Sequence, residues 1–420
     1  MIMRAIAVVL ISGALGAGAI GAAVKLTPAP AFAGVDHDWE KSRPGPDSGR
    51  VAIMIDALGR TDPVVCELIG DQLGNFWTSG GDGVGRLAGA SAAVRAAKDS
   101  TSGTITDPRA INRLVAELDG TNTCTRRVAA KLLGNSTIAT ARLSSLLGNA
   151  SANVREAAAL AAGNGEHKDV VSALQRTLDD RSPAVAAMAA WALGEIEDRA
   201  STPALLKLVR SGDTQVRLSA IWALGRLEDP RAVPDIVATL RDPNPTIRAM
   251  SADVLGSFEH ADADAVGPLE HALGSDADAK VRAEAAESLG QLSSPTSGPA
   301  LGRALSDADI GVRRAAAEAL GDLDELRIAP AGLVSAVSSS DAELRYRAAK
   351  ALAEIRDPAT TSALIGILAS QDVELRKNAI EALGSIGNPA SVQAITRALN
   401  DRDAEVRKAA AEALGEIKDQ

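Results

Sequence analysis

The chain carries four histidines, His37, His167, His260 and His271, and two cysteines, Cys66 and Cys124, among 420 residues. A catalytic metal wants two imidazoles aimed at one ion, as the four-residue spacing of H-E-x-x-H achieves on one helix face. No histidine pair has that spacing, and no His-Glu dipeptide occurs. His260, Asp262, Asp264, His271, Asp276 and Asp278 fall close together, and the aspartates, alternating with Ala, could offer oxygen ligands to calcium. The stretch lacks the central Gly and closing Glu of a dedicated calcium loop, so solvated turns and helix caps are the preferred reading. Residues 79–85 (SGGDGVG) are glycine-rich but lack the Lys-Ser/Thr of a phosphate loop and the strand-turn-helix setting of a dinucleotide site. They read as part of a flexible insertion. No catalytic set, metal or cofactor is expected, and the chain is read as a non-enzyme.

The elements that position side chains follow from a repeat. Residues 216–225 (VRLSAIWALG), 312–321 (VRRAAAEALG) and 406–415 (VRKAAAEALG) share one pattern, an Arg followed eight residues later by Gly. Registered on that Arg, anchors fall at Arg126, Arg155, Ala186, Arg217, Arg248, Arg282, Arg313, Arg345, Arg376 and Arg407, with a period near 31 and one spacing of 34. Such regularity signifies stacked supersecondary units, each burying its apolar face against its neighbours. Within one period, residues 203–209 carry apolar positions at helical spacing, and Val216, Ala220, Leu224 and Leu227 form a second stripe after a short turn. Asp213, Asp242, Asp307, Asp372 and Asp401 stand where a short carboxylate can cap a helix start. Pro203, Pro234, Pro268, Pro299 and Pro330 recur at one place, expected to be a first turn, where proline costs no intrahelical bond.

The unit D-x-x-V-R-x-x-A-A-x-A-L-G-x-I, preceded by A-x-P-x-L-x-x-x-L, resembles the HEAT repeat in its short, Ala-rich, phycobilisome-lyase-like form. The likeness is strong over residues 110–420 and weak over 50–75. It implies an all-α, right-handed alpha-alpha superhelix of about ten to eleven two-helix repeats, first helices convex and Val-Arg helices concave. It also implies that the repeated Asp and Arg form a ladder between units. Ala186 breaks the ladder, and Ala353 stands where the Gly recurs. Relatives that hydroxylate through a di-iron site carry His-Glu pairs, which are absent; relatives that attach bilins work inside cells, which the N-terminus contradicts.

That N-terminus reads as a secretory signal over residues 1–33. Arg4 precedes an apolar run, Pro28 and Pro30 break it, and Ala31-Phe32-Ala33 supplies an A-x-A cleavage site. A retained membrane anchor is the weaker reading, and no other segment is apolar enough to span. The expected product is periplasmic or extracellular. Residues 34–61 form an N-terminal segment, 62–119 a divergent first repeat with an insertion at 75–107, and 120–420 the solenoid. Cys66 sits at the Arg position of the divergent repeat, and in an oxidising compartment a Cys66–Cys124 disulfide would staple it to its neighbour; two free thiols are the alternative. Without residues 1–33 the chain holds 42 basic and 54 acidic residues, a charge of −12, which argues against nucleic acid as a partner.

Aromatics are only 2% of the chain, so the core must be Ala and Leu, and an exposed aromatic stands out. Five residues past the anchor the units carry Lys131, Leu160, Trp191, Trp222, Asp253, Glu287, Glu318, Lys350, Glu381 and Glu412. The many charges mark a solvent-facing column, and three consecutive apolar entries interrupt it. One residue past the anchor, on the same face, Ala187 and Leu218 extend the strip. Leu160, Trp191, Leu218 and Trp222 are therefore expected to form the centre of a concave site for a protein or peptide partner. Two alternatives stay open: a fold-over of the N-terminal segment or insertion that covers the tryptophans, and a carbohydrate ligand stacked on them.

Overall fold

The computed structural model describes residues 45–58, 103–258, 262–323 and 325–419. Among them the backbone is helical apart from turns and one isolated parallel bridge between Ile105 and Ser136. Ten two-helix units run from Pro108–Glu117 paired with Thr123–Gly134 to Val392–Ala398 paired with Ala404–Asp419. They stack as a helical solenoid, each unit packing on the next. The first helix of a unit is short, often seven residues after a 3₁₀ turn, as in Thr202–Leu208; the second is long, as in Thr214–Leu227.

Local chemistry explains the boundaries. Thr214–Leu227 starts where the Asp213 carboxylate accepts the amides of Gln215 and Val216 at 2.9 and 3.1 Å. It ends at Glu228, which turns left-handed at φ 47°. Its predicted stripe, Val216, Ala220, Leu224 and Leu227, is buried. Asp372 caps as expected, taking the Leu375 amide. Asp242, Asp307 and Asp401 do not cap: each accepts the amide two residues on, and Asn244, Asp309 and Asp403 cap the following helices instead. The turn thus uses two polar residues, one to close it and one to start the helix. Pro203, Pro234 and Pro299 lie in first turns and Pro330 precedes its helix. Pro268 departs from the expectation. It lies inside Asp262–Ser275, the first helix of the longest unit, which runs 14 residues.

The turn carboxylates receive the anchors of the preceding unit, Asp372 while also capping its helix. Arg155 clasps Asp180, Arg217 Asp242, Arg248 Asp276, Arg282 Asp307, Arg345 Asp372 and Arg376 Asp401. Each guanidinium also donates through Nη1 to the carbonyl six residues earlier in its own turn, for example Arg376 to Ser370 at 2.9 Å. One side chain therefore ties two consecutive turns. Ala186 leaves the rung to Ser211 empty, and a small apolar cluster of Ala186, Ala187 and Val216, with Leu208 against it, fills that place.

At the N-terminal end, Ser48–Leu58 packs on the first two helices of the solenoid and buries Val51 and Ile55. A helix therefore lies in a stretch expected to be only an N-terminal segment. Residues 103–107, expected inside the insertion, are strapped to the first unit: Ile105 is fully buried, its amide donates to the Asn135 carbonyl at 2.9 Å, and Asp107 caps the helix at Pro108. The divergent repeat with Cys66, the remainder of the insertion and the signal segment lie outside the described residues. No described helix is long and apolar enough to cross a membrane.

Candidate partner-binding groove

Second helices approach one another closely because Ala and Gly line their contacts; a Cβ on Gly290 would stand 2.8 Å from Ala319 Cα. First helices are shorter and meet more sparsely, and the second helices form one continuous face of the stack. On that face lies a groove of about 610 Å³ spanning several consecutive units.

Its floor is an aromatic pair. Trp191 and Trp222 lie one unit apart, ring centroids 6.4 Å from each other and planes inclined by 19°. Both are half-buried and line the groove. Each ring reaches back over the glycine of the preceding unit. A Cβ on Gly163 would be 2.7 Å from Trp191 Cζ3, and one on Gly194 would be 2.8 Å from Trp222 Cζ3. Indole can lie flat here only because those positions lack a side chain.

The same tilt corrects two expectations. Leu160, three residues before Gly163 on the same helix face, is roofed over: it is 2% exposed, joins the core and does not line the groove. Leu218 lines the groove but is 7% exposed, so it is wall more than floor. The column five past the anchor is solvent-facing from Asp253 onward, but Lys131 is buried with Leu160 at the N-terminal end. Packing against adjacent units, not the column alone, decides exposure.

Other groove residues escaped the sequence reading. Met188, Ser219 and Met250 lie two past the anchor, three before the column that holds the tryptophans, and i,i+3 positions share a helix face. A third column read at that position would have found them. Gln215, Asn244 and Thr246 come from helix starts and add hydrogen-bonding groups, while Arg127 and Glu156 stand at the N-terminal rim.

Beyond Met250 the face turns acidic. Desolvation pushes the Asp253 carboxyl above its ordinary value, with Lys280 opposing. Burial pushes Glu284 up to about 7, reinforced by the charges of Asp253 and Glu287 and opposed by Lys280.

The chemistry-bearing residues outside the groove serve the stack. Among the described residues no group of three or more His, Cys, Asp or Glu is arranged to hold a metal. Asp276 belongs to the ladder and Asp278 caps Lys280 and Val281, as expected of turns and caps. His260 and the side chain of Asp262 lie outside the described residues. His167 places Nε2 3.1 Å from the Gly134 carbonyl of the preceding unit. Cys124 lies half-buried in the first turn of Thr123–Gly134, against the core. Its pairing with Cys66 is taken up below.

The sequence matches the family model of HEAT repeats over residues 139–215, 202–290, 266–331 and 329–415. Among curated proteins no sequence matches. Of solved structures, importin beta in an ammonium sulfate condition is 14% identical with a TM-score of 0.57, covering 88% of this chain and 57% of that one. Yeast importin-beta, Kap95p, is 14% identical with a TM-score of 0.51, covering 87% and 58%. Kap95p in its complex with RanGDP is 14% identical with a TM-score of 0.55, covering 88% and 56%. The chain spans a little over half the length of these structures, and at this identity they share its fold alone. The repeat unit, its Arg–Asp ladder and the family match over most of the chain lead to one assignment: this protein belongs to the HEAT repeat family.

Proposed function

We propose that this chain is an exported, non-enzymatic scaffold that holds a protein or peptide partner in its concave groove, centred on Trp191 and Trp222. The observation that carries the reading is the stacked indole pair, half-exposed on a groove floor in a chain with so few aromatics. Large apolar surface kept open to water is the mark of a contact surface, and tryptophan is enriched among residues that dominate binding. The fold supports it too: a solenoid presents an extended inner face, and Kap95p, a structural neighbour, engages Ran.

Selection from a random peptide library against wild type and against Trp191→Ala/Trp222→Ala tests the reading. Peptides enriched only on wild type should protect the indoles from acrylamide quenching. Failure to enrich any such peptide removes the partner groove from consideration.

A carbohydrate ligand has a specific observation in its favour, since Gln215, Ser219, Asn244 and Thr246 place hydrogen-bonding side chains beside the rings. Neutral oligosaccharides that quench or protect the indoles, where peptides do not, would select it. Nucleic acid is disfavoured by net charge.

Export is proposed from residues 1–33, and it makes sense of the cysteines. A Cys66–Cys124 bridge is proposed because the chain has just these two cysteines and an oxidising compartment would pair them. It would staple the N-terminal end of the stack, by roughly 2–4 kcal/mol. Labelling of two thiols in the native exported protein would rule the bridge out.

A further inference from the structure

The columns that build the groove continue past it with different chemistry. Two past the anchor, Met188, Ser219 and Met250 are followed by Glu284; five past it, Trp191 and Trp222 are followed by Asp253. Asp253 and Glu284 therefore stand on the face that carries the groove, in the next two units, on adjoining helices Pro245–Gly256 and Ala279–Gln291. Met250, a groove residue, shares a helix face with Asp253 at i,i+3.

Several acids further along are neutralised by a neighbouring cation, unlike Asp253 and Glu284, although Glu381 of the same column is also raised by burial. Asp341 is held by Arg314 at 2.5 Å, Glu318 by Arg347, Glu374 by Lys377 at 3.2 Å and Glu412 by Lys408 at 3.7 Å. Among the described residues, neither Asp253 nor Glu284 forms a salt bridge. They repel each other, and burial penalises the Glu284 charge; Lys280 opposes both effects but leaves the two carboxyls raised, so ionised Glu284 is an unfavourable feature of the free protein. An incoming cation would relieve both effects at once.

We propose that the groove takes an extended peptide with an apolar side chain seated on Trp191 and Trp222 and a Lys or Arg lying against Asp253 and Glu284. Second helices in such a stack sit about 10 Å apart, and an extended chain rises about 3.3 Å per residue. The cationic side chain therefore falls about 3–6 residues from the apolar one. This occupant rests on the groove being a peptide site, and charge complementarity distinguishes it from a neutral apolar segment.

Fluorescence anisotropy with three labelled synthetic peptides tests it, each with a Leu-Leu pair and, four and six residues on, Arg, Gln or Glu. The Arg peptide should bind wild type about 10-fold tighter than the Gln peptide, with the Glu peptide weakest. Asp253→Asn/Glu284→Gln should bring Arg and Gln peptides to equal affinity, and Trp222→Ala should weaken all three alike. Circular dichroism and melting confirm that each variant is folded. Equal binding of Arg and Gln peptides to wild type, still dependent on Trp222, overturns the cationic occupant and leaves the apolar groove standing. Absence of binding by any peptide, or binding indifferent to Trp222, overturns the groove and this occupant with it.

Discussion

Arg248 grips Asp276 through two hydrogen bonds, Nε at 2.7 Å and Nη2 at 2.8 Å, although the two are 28 residues apart where Arg155–Asp180, Arg282–Asp307 and Arg376–Asp401 are 25 apart. The three additional residues lie before Asp276, so the longest unit keeps its rung. Arg248 is hydrogen-bonded to its own turn as well, at the Asp242 carbonyl. Breaking the pair strands a partly buried guanidinium, and Asp276→Ala should cost about 3 kcal/mol in urea unfolding. The Arg248 hydrogen bonds hold the Asp276 carboxyl below its usual value. Its contribution is therefore present above the unfolded carboxylate range near pH 4 and is lost as pH falls through the lowered pKa. Between pH 6 and 3, wild type should lose stability that the Ala variant lacks throughout.

The empty rung offers a coupling test. Ala186 and Ser211 occupy the places of Arg and Asp, and Ala186 is 4% exposed. Ala186→Arg alone buries a charge without its carboxylate and should destabilise by a few kcal/mol. Adding Ser211→Asp should recover about 2 kcal/mol in a double-mutant cycle. A coupling energy near zero would mean that the apolar cluster has closed the channel the guanidinium uses elsewhere.

Gly194→Ala probes the aromatic floor. The new Cβ would lie 2.8 Å from Trp222 Cζ3 and 2.9 Å from Ala223 Cα, so ring and helix must both shift. A cost of about 1–3 kcal/mol is expected from overpacking. Tryptophan emission should move to longer wavelength as the ring is pushed toward water. Unchanged emission with unchanged melting would show that the ring does not rest there.

Glu284 gives the opposite pH signature to the ladder. Burial pushes its carboxyl up to about 7, above the ordinary glutamate value of 4.5, so the ionised form is the one the fold disfavours. Stability from this group is complete below about pH 4.5 and falls as pH rises toward and through 7. Glu284→Gln should be close to neutral at pH 5 and stabilising by about 1–2 kcal/mol at pH 8, after allowance for solvent screening. Thermal melts of both proteins at the two pH values decide it.

Left-handed caps are a further handle. Glu228 ends its helix at φ 47° and is exposed, a conformation that favours glycine, as Gly387 shows at φ 68° in an equivalent place. Glu228→Gly should raise stability by about 0.5–1 kcal/mol. A drop would mean that the Glu side chain makes contacts worth more than the strain.

The sequence by itself determined the unit. Spacing of Arg217, Leu224 and Gly225, repeated near every 31 residues, dictates two helices per period because only a helix gathers such positions on one face. It also made the ladder legible, since an Arg and an Asp that recur in most units can pair across the junction between one unit and the next. Trp191 and Trp222 could be singled out because their column is charged in most units.

Tertiary structure decided what a column cannot express, namely how far each side chain leans toward the neighbouring unit. Leu160 and Trp191 hold the same position in successive units, yet Leu160 is core while the half-buried indole of Trp191 lies over Gly163. Asp213 and Asp242 look alike in the sequence, yet one caps a helix and the other closes a turn and receives Arg217. Met188, Ser219 and Met250 became groove wall only once adjoining helices set their columns side by side. Exposure in a solenoid is a property of two adjacent units, and a one-dimensional pattern describes them one at a time.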